Sequence, residues 1–492
     1  MNSFMNSETP PKKTSLVIDF VIVGGGLAGL GCAIALRRVG HRVQVLEADS
    51  GLNMQTSGGI RMPPNMSKIL YHWGLHEQVQ QIAFKSQAID LQLFEKDELL
   101  GTHIWDEEML QETRGEFVMA RYCDLRKLLY DTAVALGAKI LFNSHVKTID
   151  PDARTVTLAS GRVFHADVIV GADGSLGKTR EIMEAETPQP HQLVMYSSTV
   201  PKKAVLQDKE LRPLYDRTHR AMYAWFGYGR AVLAFPTGGD RDLGLYVYGP
   251  ADGNEGQWEQ PAPIEGMRRI LETAEPRLRK LGALAKPPIC VPVTDFPDLE
   301  DWVHDSGRMV IIGEAAHPMP PGAIQTIAMA VEDGAVLAKL FSHLRAEDQI
   351  SNFLYAFEDL RHPRCTAVLK KEFGDIFFMT LPPGEMQEGR DAHFRAKRDA
   401  GESVLAGGEG ETVEEWSEMK DIFGYDAEDE ADDWWQEWGV LKEHAIGREI
   451  VESGASISSI VVQHQATSTG SIKKQQSTTR TKFSGGQPRL QF

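Results

Sequence analysis

Residues 16–47 constrain the fold more than any other stretch of the chain. Leu16–Val23 is a short apolar run, and Gly24-x-Gly26-x-x-Gly29 follows it directly. A helix-like segment then continues to Val39, and Arg42–Glu47 forms a second β-like run. Strand, glycine turn, helix and strand in that order are the opening of a Rossmann-like βαβ unit. Each glycine has a physical role. Gly24 allows the tight turn, Gly26 lets a pyrophosphate approach the backbone, and Gly29 lets helix and strand pack closely. The free amides and the dipole at the helix start favour phosphate. Glu47, ending the second run, is suited to accept hydrogen bonds from adenosine ribose hydroxyls and would repel a 2′-phosphate. The pattern predicts a dinucleotide site that disfavours NADP and leaves FAD and NAD open. The bland alternative, a glycine-rich turn beside a surface glutamate, does not account for the complete strand–turn–helix–strand–acid order.

Further along, Tyr122–Leu136 has helical apolar spacing, with Asp124 in its first turn. From Lys139 to Val170 the pattern becomes short β-like pieces: Ile140–Phe142, Val146–Ile149, Thr155–Leu158 and Val163–Phe164, with Ser160-Gly161 as a hairpin turn. Ala221–Phe226, Ala231–Phe235 and Leu243–Tyr248 are β-like, Arg308–Ile312 is a buried-looking strand, and Thr326–Leu344 is a long helix. The fold class expected is α/β: an FAD-type βαβ Rossmann-like domain with a β-meander, a mixed β-sheet substrate domain, and a C-terminal helical segment. The expected boundaries are a disordered N-terminus over 1–15, the dinucleotide domain over 16–185 and again over 300–385, the substrate domain over 186–299, helices over 386–452, and a disordered tail over 453–492. Acidic residues near 400–445 surround Trp434, Trp435 and Trp438, which would pack that segment on the body. The tail is rich in Ser, Thr, Gln, Lys and Gly and lacks apolar surface to offset ordering entropy.

Composition narrows the function. A formal charge of −17 over 492 residues argues against a nucleic-acid partner. The four cysteines, Cys32, Cys123, Cys290 and Cys365, are far apart, which argues against a disulfide framework or a zinc site and for free thiols in a reducing compartment. No metal site is expected. No apolar run has signal-peptide or transmembrane character, so the expected location is intracellular and cytoplasmic, with no integral membrane segment.

Five stretches together resemble the class A FAD-dependent monooxygenases, the group that contains salicylate hydroxylase and its relatives in fungal secondary metabolism. They are the βαβ unit with Glu47; Gly58-Gly59-Ile60-Arg61-Met62-Pro63-Pro64-Asn65; Arg121 with Asp124-Leu125; Asp167-Val-Ile-Val-Gly-Ala-Asp-Gly174 ending at Arg180; and Gly313-Glu-Ala-Ala-His-Pro-Met319 followed by Glu332-Asp333-Gly334-Ala335. The resemblance spans roughly 16–380. It implies noncovalent FAD held by Gly24, Gly26, Gly29, Glu47, Gly59, Arg121, Asp173, Glu314 and Ile327. Glu47 would take the adenosine ribose, Arg121 the phosphate and ribityl region, and Glu314 the ribityl hydroxyls. Amides near Thr326 and Ile327 would face the flavin carbonyl. NADPH or NADH would reduce the flavin, and O2 would form a flavin hydroperoxide that hydroxylates an aromatic or polyketide-like small molecule. The protein would be a monomer or a homodimer.

The sequence departs from the family in three ways. Glu314 stands where the family's counterpart of the Gly313–Met319 stretch has Asp. The run Ile324-Gln325-Thr326-Ile327-Ala328 retains only Gln325 of Gly-Gln-Gly-x-Asn, and the lost glycines restrict close backbone approach to the flavin. Ala231 and Ser197 replace a histidine and an arginine that relatives carry. The candidate catalytic residues are therefore chosen by type: Tyr223 or His219 as a base and Arg230 as a phenolate holder, against the packing role usual for strand aromatics. His317 is read as structural. The departures keep two alternatives open, an FAD-binding protein with little or no hydroxylase turnover and a flavin oxidase.

Overall fold

The structure is a computed structural model, and it describes residues 12–52, 58–183, 186–216, 219–239, 241–256, 258, 260–405 and 421–439. The chain divides into two compact units, Met1–Asp433 and Trp434–Phe492. Of the second unit, residues 434–439 are described. They include a π-helical turn, Trp435–Gly439, with Trp435 buried and Trp438 exposed. The tail expected over 453–492 lies outside the described residues.

In the first unit, the βαβ opening forms as the glycine pattern dictates. Asp19–Val23, Leu27–Val39 and Arg42–Leu46 are strand, helix and strand. They belong to a five-stranded sheet in the order Met309–Ile311, Val168–Gly171, Asp19–Val23, Arg42–Leu46, Lys139–Leu141. Every pairing is parallel. Val168–Val170 and Met309–Ile311 are buried throughout, the near-continuous apolar pattern of strands covered on both faces. The first helix stops at Gly40, whose φ of 106° continues the chain in a left-handed turn. It packs on the helix Thr326–Phe341 through small residues: a Cβ on Gly334 would lie 2.8 Å from the Cα of Cys32.

The second large sheet has seven strands in the order Ile289–Asp295, Gln189–Pro201, Asp242–Pro250, Arg230–Thr237, Ala221–Gly227, Ala88–Leu93, Leu99–Ile104. It is mixed, because Ala221–Gly227 pairs parallel with Ala88–Leu93 while its other neighbours run antiparallel. Two of its strands come from residues 88–104, within the 16–185 range expected for the first part of the dinucleotide domain. The side-chain period of two splits its residues between faces. Tyr196, Tyr223, Trp225, Val232, Leu245 and Val247 join one core with Met267, Leu271, Leu278 and Leu281 of the helices Ile264–Leu271 and Pro276–Leu284. Met195, Met222, Phe226, Leu233, Phe235, Tyr246 and Tyr248 join the other.

The predicted meander is present as Val146–Asp150, Thr155–Leu158 and Val163–His165. A further small sheet pairs Gly59–Met62 and Ala83–Lys85 with Val118–Arg121. The sequence pattern did not indicate the 31-residue helix Gln349–Met379, which carries Pro363 in its interior. Its inward stripe includes Arg361 and Glu372, and these charges interrupt the apolar periodicity by which helices are recognised. Glu385–Ala400 and Ala427–Trp434 supply the expected C-terminal helices. The four cysteines are free and buried, and no described helix is long and apolar enough to cross a membrane.

Candidate active site

The C-terminal edge of the parallel sheet opens into a cavity of about 600 Å³ that extends to the wall of the mixed sheet. Its first end is built by the glycine turn. Gly24 has φ of 105°, which a side chain resists, and a Cβ there would collide with the backbone of Ala172. A Cβ on Gly29 would collide with the carbonyl of Gly24. At Gly26 a Cβ would meet nothing nearer than the Tyr122 hydroxyl at 3.8 Å. It would project into the cavity that Gly26 lines, so the missing side chain there leaves room for a ligand. Glu47 also lines this end. Its Oε2 accepts from Gly25 N at 2.6 Å and its Oε1 from Asp49 N at 2.8 Å. Arg126 completes the arrangement: Nη2 lies 3.2 Å from Glu47 Oε2, Nη1 3.0 Å from Asp49 Oδ2, and Nε donates to Gly25 O at 3.1 Å.

Asp173 borders the middle of the cavity and accepts from the Thr179 amide at 3.1 Å and from the Thr179 hydroxyl. Burial pushes its carboxyl up, against those hydrogen bonds. Glu314 faces the same space on a 3-10 turn, Gly313–Ala315. Burial raises its carboxyl as well, with His317 opposing. The turn is pinned by Arg180, which donates to Ala315 O and Ala316 O at 3.0 Å and to Pro297 O at 2.6 Å. At the far end are Gly58–Arg61, Ser197, Tyr246, Pro320–Ala323 and the helix start at Thr326 and Ile327. Tyr246 donates its hydroxyl to Gly59 O, and Tyr248 donates to Pro321 O at 2.8 Å, so the mixed sheet holds both loops by their carbonyls.

Behind this end lies a buried ionic network. Asp333 accepts from Gly313 N at 2.8 Å, His317 Nε2 at 2.6 Å and Arg361 Nε at 2.8 Å. Burial opposes its charge, but His317 and Arg361 outweigh that and hold the carboxyl down at about 2. Burial would lower His317, but Cys365 and Asp333 outweigh it and push the imidazole up to about 10. Glu332 pairs with Arg361 at 2.8 Å and Arg364 at 2.9 Å, and accepts from Asn65 at 2.7 Å. Gln325 is turned into this network, accepting from Asn65 at 2.8 Å. Its backbone N–H and that of Ile324 donate to Glu372 at 2.9 and 3.0 Å. Donor atoms of His317, Asp333 and Cys365 lie within 4.8 Å of one another. Asp333 is already committed to three donors, and Arg361 Nη2 sits 3.5 Å from Cys365 Sγ. The cluster is accounted for as an ion-pair and hydrogen-bond network.

The residues chosen from sequence fall into three groups. Gly24, Gly26, Glu47, Gly59, Asp173, Glu314 and Ile327 all line the cavity, and Gly29 acts one layer behind. Arg121 pairs across the small sheet with Gly59, but its guanidinium turns to Asp124 at 2.7 and 2.8 Å, outside the lining. Tyr223 and Arg230 require correction, because strand alternation directs both to the face of the mixed sheet opposite the cavity. Tyr223 is buried among the helices there with its hydroxyl donating to Leu214 O, and Arg230 lies 3.4 Å from the Thr273 hydroxyl. His219 is exposed and lines no part of the cavity. The sequence assigned no role to Arg126, Arg61 or Tyr246. Arg126 lies one residue beyond the motif formed by Arg121 with Asp124-Leu125.

A glycine floor, the N-terminus of the helix Leu27–Val39, a carboxylate at one end and a second helix N-terminus at the other suit an extended dinucleotide. Residues 17–372 match the family model described as "FAD binding domain". The FAD-dependent monooxygenase OpS4 of Beauveria bassiana is 27% identical over 83% of this chain and 95% of its own length. Hispidin-3-hydroxylase of Neonothopanus nambi is 27% identical over 73% of this chain and 89% of its own. Among solved structures, a salicylate hydroxylase substrate complex superposes with a TM-score of 0.66 at 20% identity, covering 85% of this chain and 97% of that one.

Proposed function

The chain belongs to the FAD binding domain family, among its FAD-dependent monooxygenases, and from that premise we propose that it uses NADPH or NADH and O2 to hydroxylate an aromatic or polyketide-like small molecule. The observation that carries this reading is one continuous cavity running from Glu47 to Arg61 and Tyr246. Glu47 holds the adenosine ribose, with Arg126 fixing its carboxylate. The amides after Gly24 take the pyrophosphate, Glu314 takes the ribityl chain, and the helix start at Thr326 and Ile327 offers amides to the ring. FAD, when bound, supplies the redox chemistry that passes electrons from the nicotinamide to O2 and inserts one oxygen atom into the substrate. The protein's part would be to hold FAD through these groups, to seat the substrate against the wall formed by Tyr246, Pro321 and Ile289, and to exclude water there. An aromatic substrate is supported by that wall and by a relative named for hydroxylating hispidin.

The test is anaerobic mixing of the FAD-loaded protein with NADPH or NADH in the presence of phenols and pyrones, followed by aerobic turnover. Substrate-accelerated bleaching of the flavin and a product one oxygen heavier support the reading. Peroxide equal to the nicotinamide consumed, with no oxygenated product, would identify an oxidase instead.

A further inference from the structure

The geometry points to Arg61 as the anchor for an anionic oxygen of the substrate, a phenolate, enolate or carboxylate, at the far end of the cavity. This rests on the monooxygenase reading and narrows it to acidic substrates. Arg61 is only 6% exposed, and a guanidinium so withdrawn from water is ordinarily paired. Other buried arginines of this molecule are paired or saturated: Arg126 with Glu47 and Asp49, Arg361 with Glu332 and Asp333, Arg390 with Asp391, and Arg180 with three carbonyls. Arg61 donates to Gly322 O and lies 5.8 and 5.9 Å from the ring centres of Phe235 and Tyr246. Among the described residues no carboxylate pairs with it.

The acids that sense its charge are otherwise engaged. Glu372 is taken up by the amides of Ile324 and Gln325, and burial pushes it to about 7. Asp375 has Lys371 at 4.0 Å. The hydroxyls of Tyr246 and Tyr248 are committed to the carbonyls of Gly59 and Pro321. A countercharge for Arg61 must therefore arrive from the cavity it lines. The pyrophosphate has its own donors at Gly24–Gly26, so the anion that remains for Arg61 is the substrate's. A flat ring against Tyr246 and Pro321 with its oxygen on the guanidinium fork uses both features of this end.

The experiment uses the FAD-loaded full-length protein and two matched probe pairs, salicylate with salicylamide and 4-hydroxy-6-methyl-2-pyrone with its 4-methoxy ether. Binding is read from perturbation of the flavin spectrum. Wild type is expected to prefer the anionic member of at least one pair by about ten- to a hundredfold, the worth of a charge-assisted hydrogen bond. Arg61→Gln should abolish that preference while holding FAD within about threefold of wild type, and Arg61→Lys should restore part of it. Which pair responds separates carboxylate from enolate. Equal binding of both members by wild type, or none of either, overturns the proposal. So does a preference that survives Arg61→Gln, or an Arg61→Gln variant that has lost its flavin, which would make Arg61 a cofactor ligand. Failure of wild type to take up FAD, seen before any probe is added, would overturn the monooxygenase reading itself.

Discussion

Arg126 Nη2 lies 3.2 Å from Glu47 Oε2, and this buried pair closes the first end of the cavity. The same guanidinium holds Asp49 and the carbonyl of Gly25, so it ties the glycine turn to the loop after the second strand.

Arg126→Ala is therefore expected to cost more FAD affinity than Arg121→Ala. Removing Arg126 leaves Glu47 buried with an uncompensated charge, whereas Arg121 is partly exposed and paired with its near neighbour Asp124. Flavin retained on gel filtration and titration of the apoproteins would measure both. A larger loss from Arg121→Ala would show that Arg121 swings into the cavity when FAD binds.

Tyr223→Phe should leave turnover within about twofold of wild type, because the hydroxyl reaches no part of the cavity. It should cost about 0.5–1.5 kcal/mol of stability, the usual worth of the hydrogen bond to Leu214 O. Urea unfolding and steady-state rates on the same preparation separate the two effects.

Arg361→Met should destabilise the fold by about 3–5 kcal/mol, since Glu332 and Asp333 would keep buried charges with a partner missing. Flavin-bound and apo forms should lose stability alike, because the network lies behind the cavity. A change under about 1 kcal/mol by urea unfolding would contradict the ion-pair account.

Stability should fall with rising pH on the alkaline side through His317. Its imidazole is held up to about 10 in the folded state, against about 6.5 when unfolded. Its contribution is then whole below pH about 6.5 and is lost as pH rises through about 10. Asp333, held down at about 2, acts oppositely: its contribution is present above pH about 3.9 and is lost below. His317→Asn should flatten the decline in Tm between pH about 7 and 10 relative to wild type. An equal slope in both proteins would remove His317 from the network's pH dependence.

What the chain order determines by itself is local. Three glycines after an apolar run specify a turn that only a missing Cβ permits, and Glu47 ends the next strand, so the first end of the cavity was legible from Gly24, Gly26, Gly29 and Glu47. The meander around Gly161 and the helix at Thr326 were legible for the same reason, since period and turn chemistry act within a few residues. Tertiary structure decided the rest. Which face of the mixed sheet looks into the cavity depends on strand register, and a one-residue alternation sends Tyr223 away and Tyr246 toward it. Residues 88–104 join that sheet through long-range pairing that leaves no local mark. Arg361 and Glu372 disguise the long helix because their charges are satisfied only by partners distant in sequence. Arg126 and Arg61 acquire meaning in the same way, one from the carboxylates folded against it and the other from having no carboxylate paired with it among the described residues.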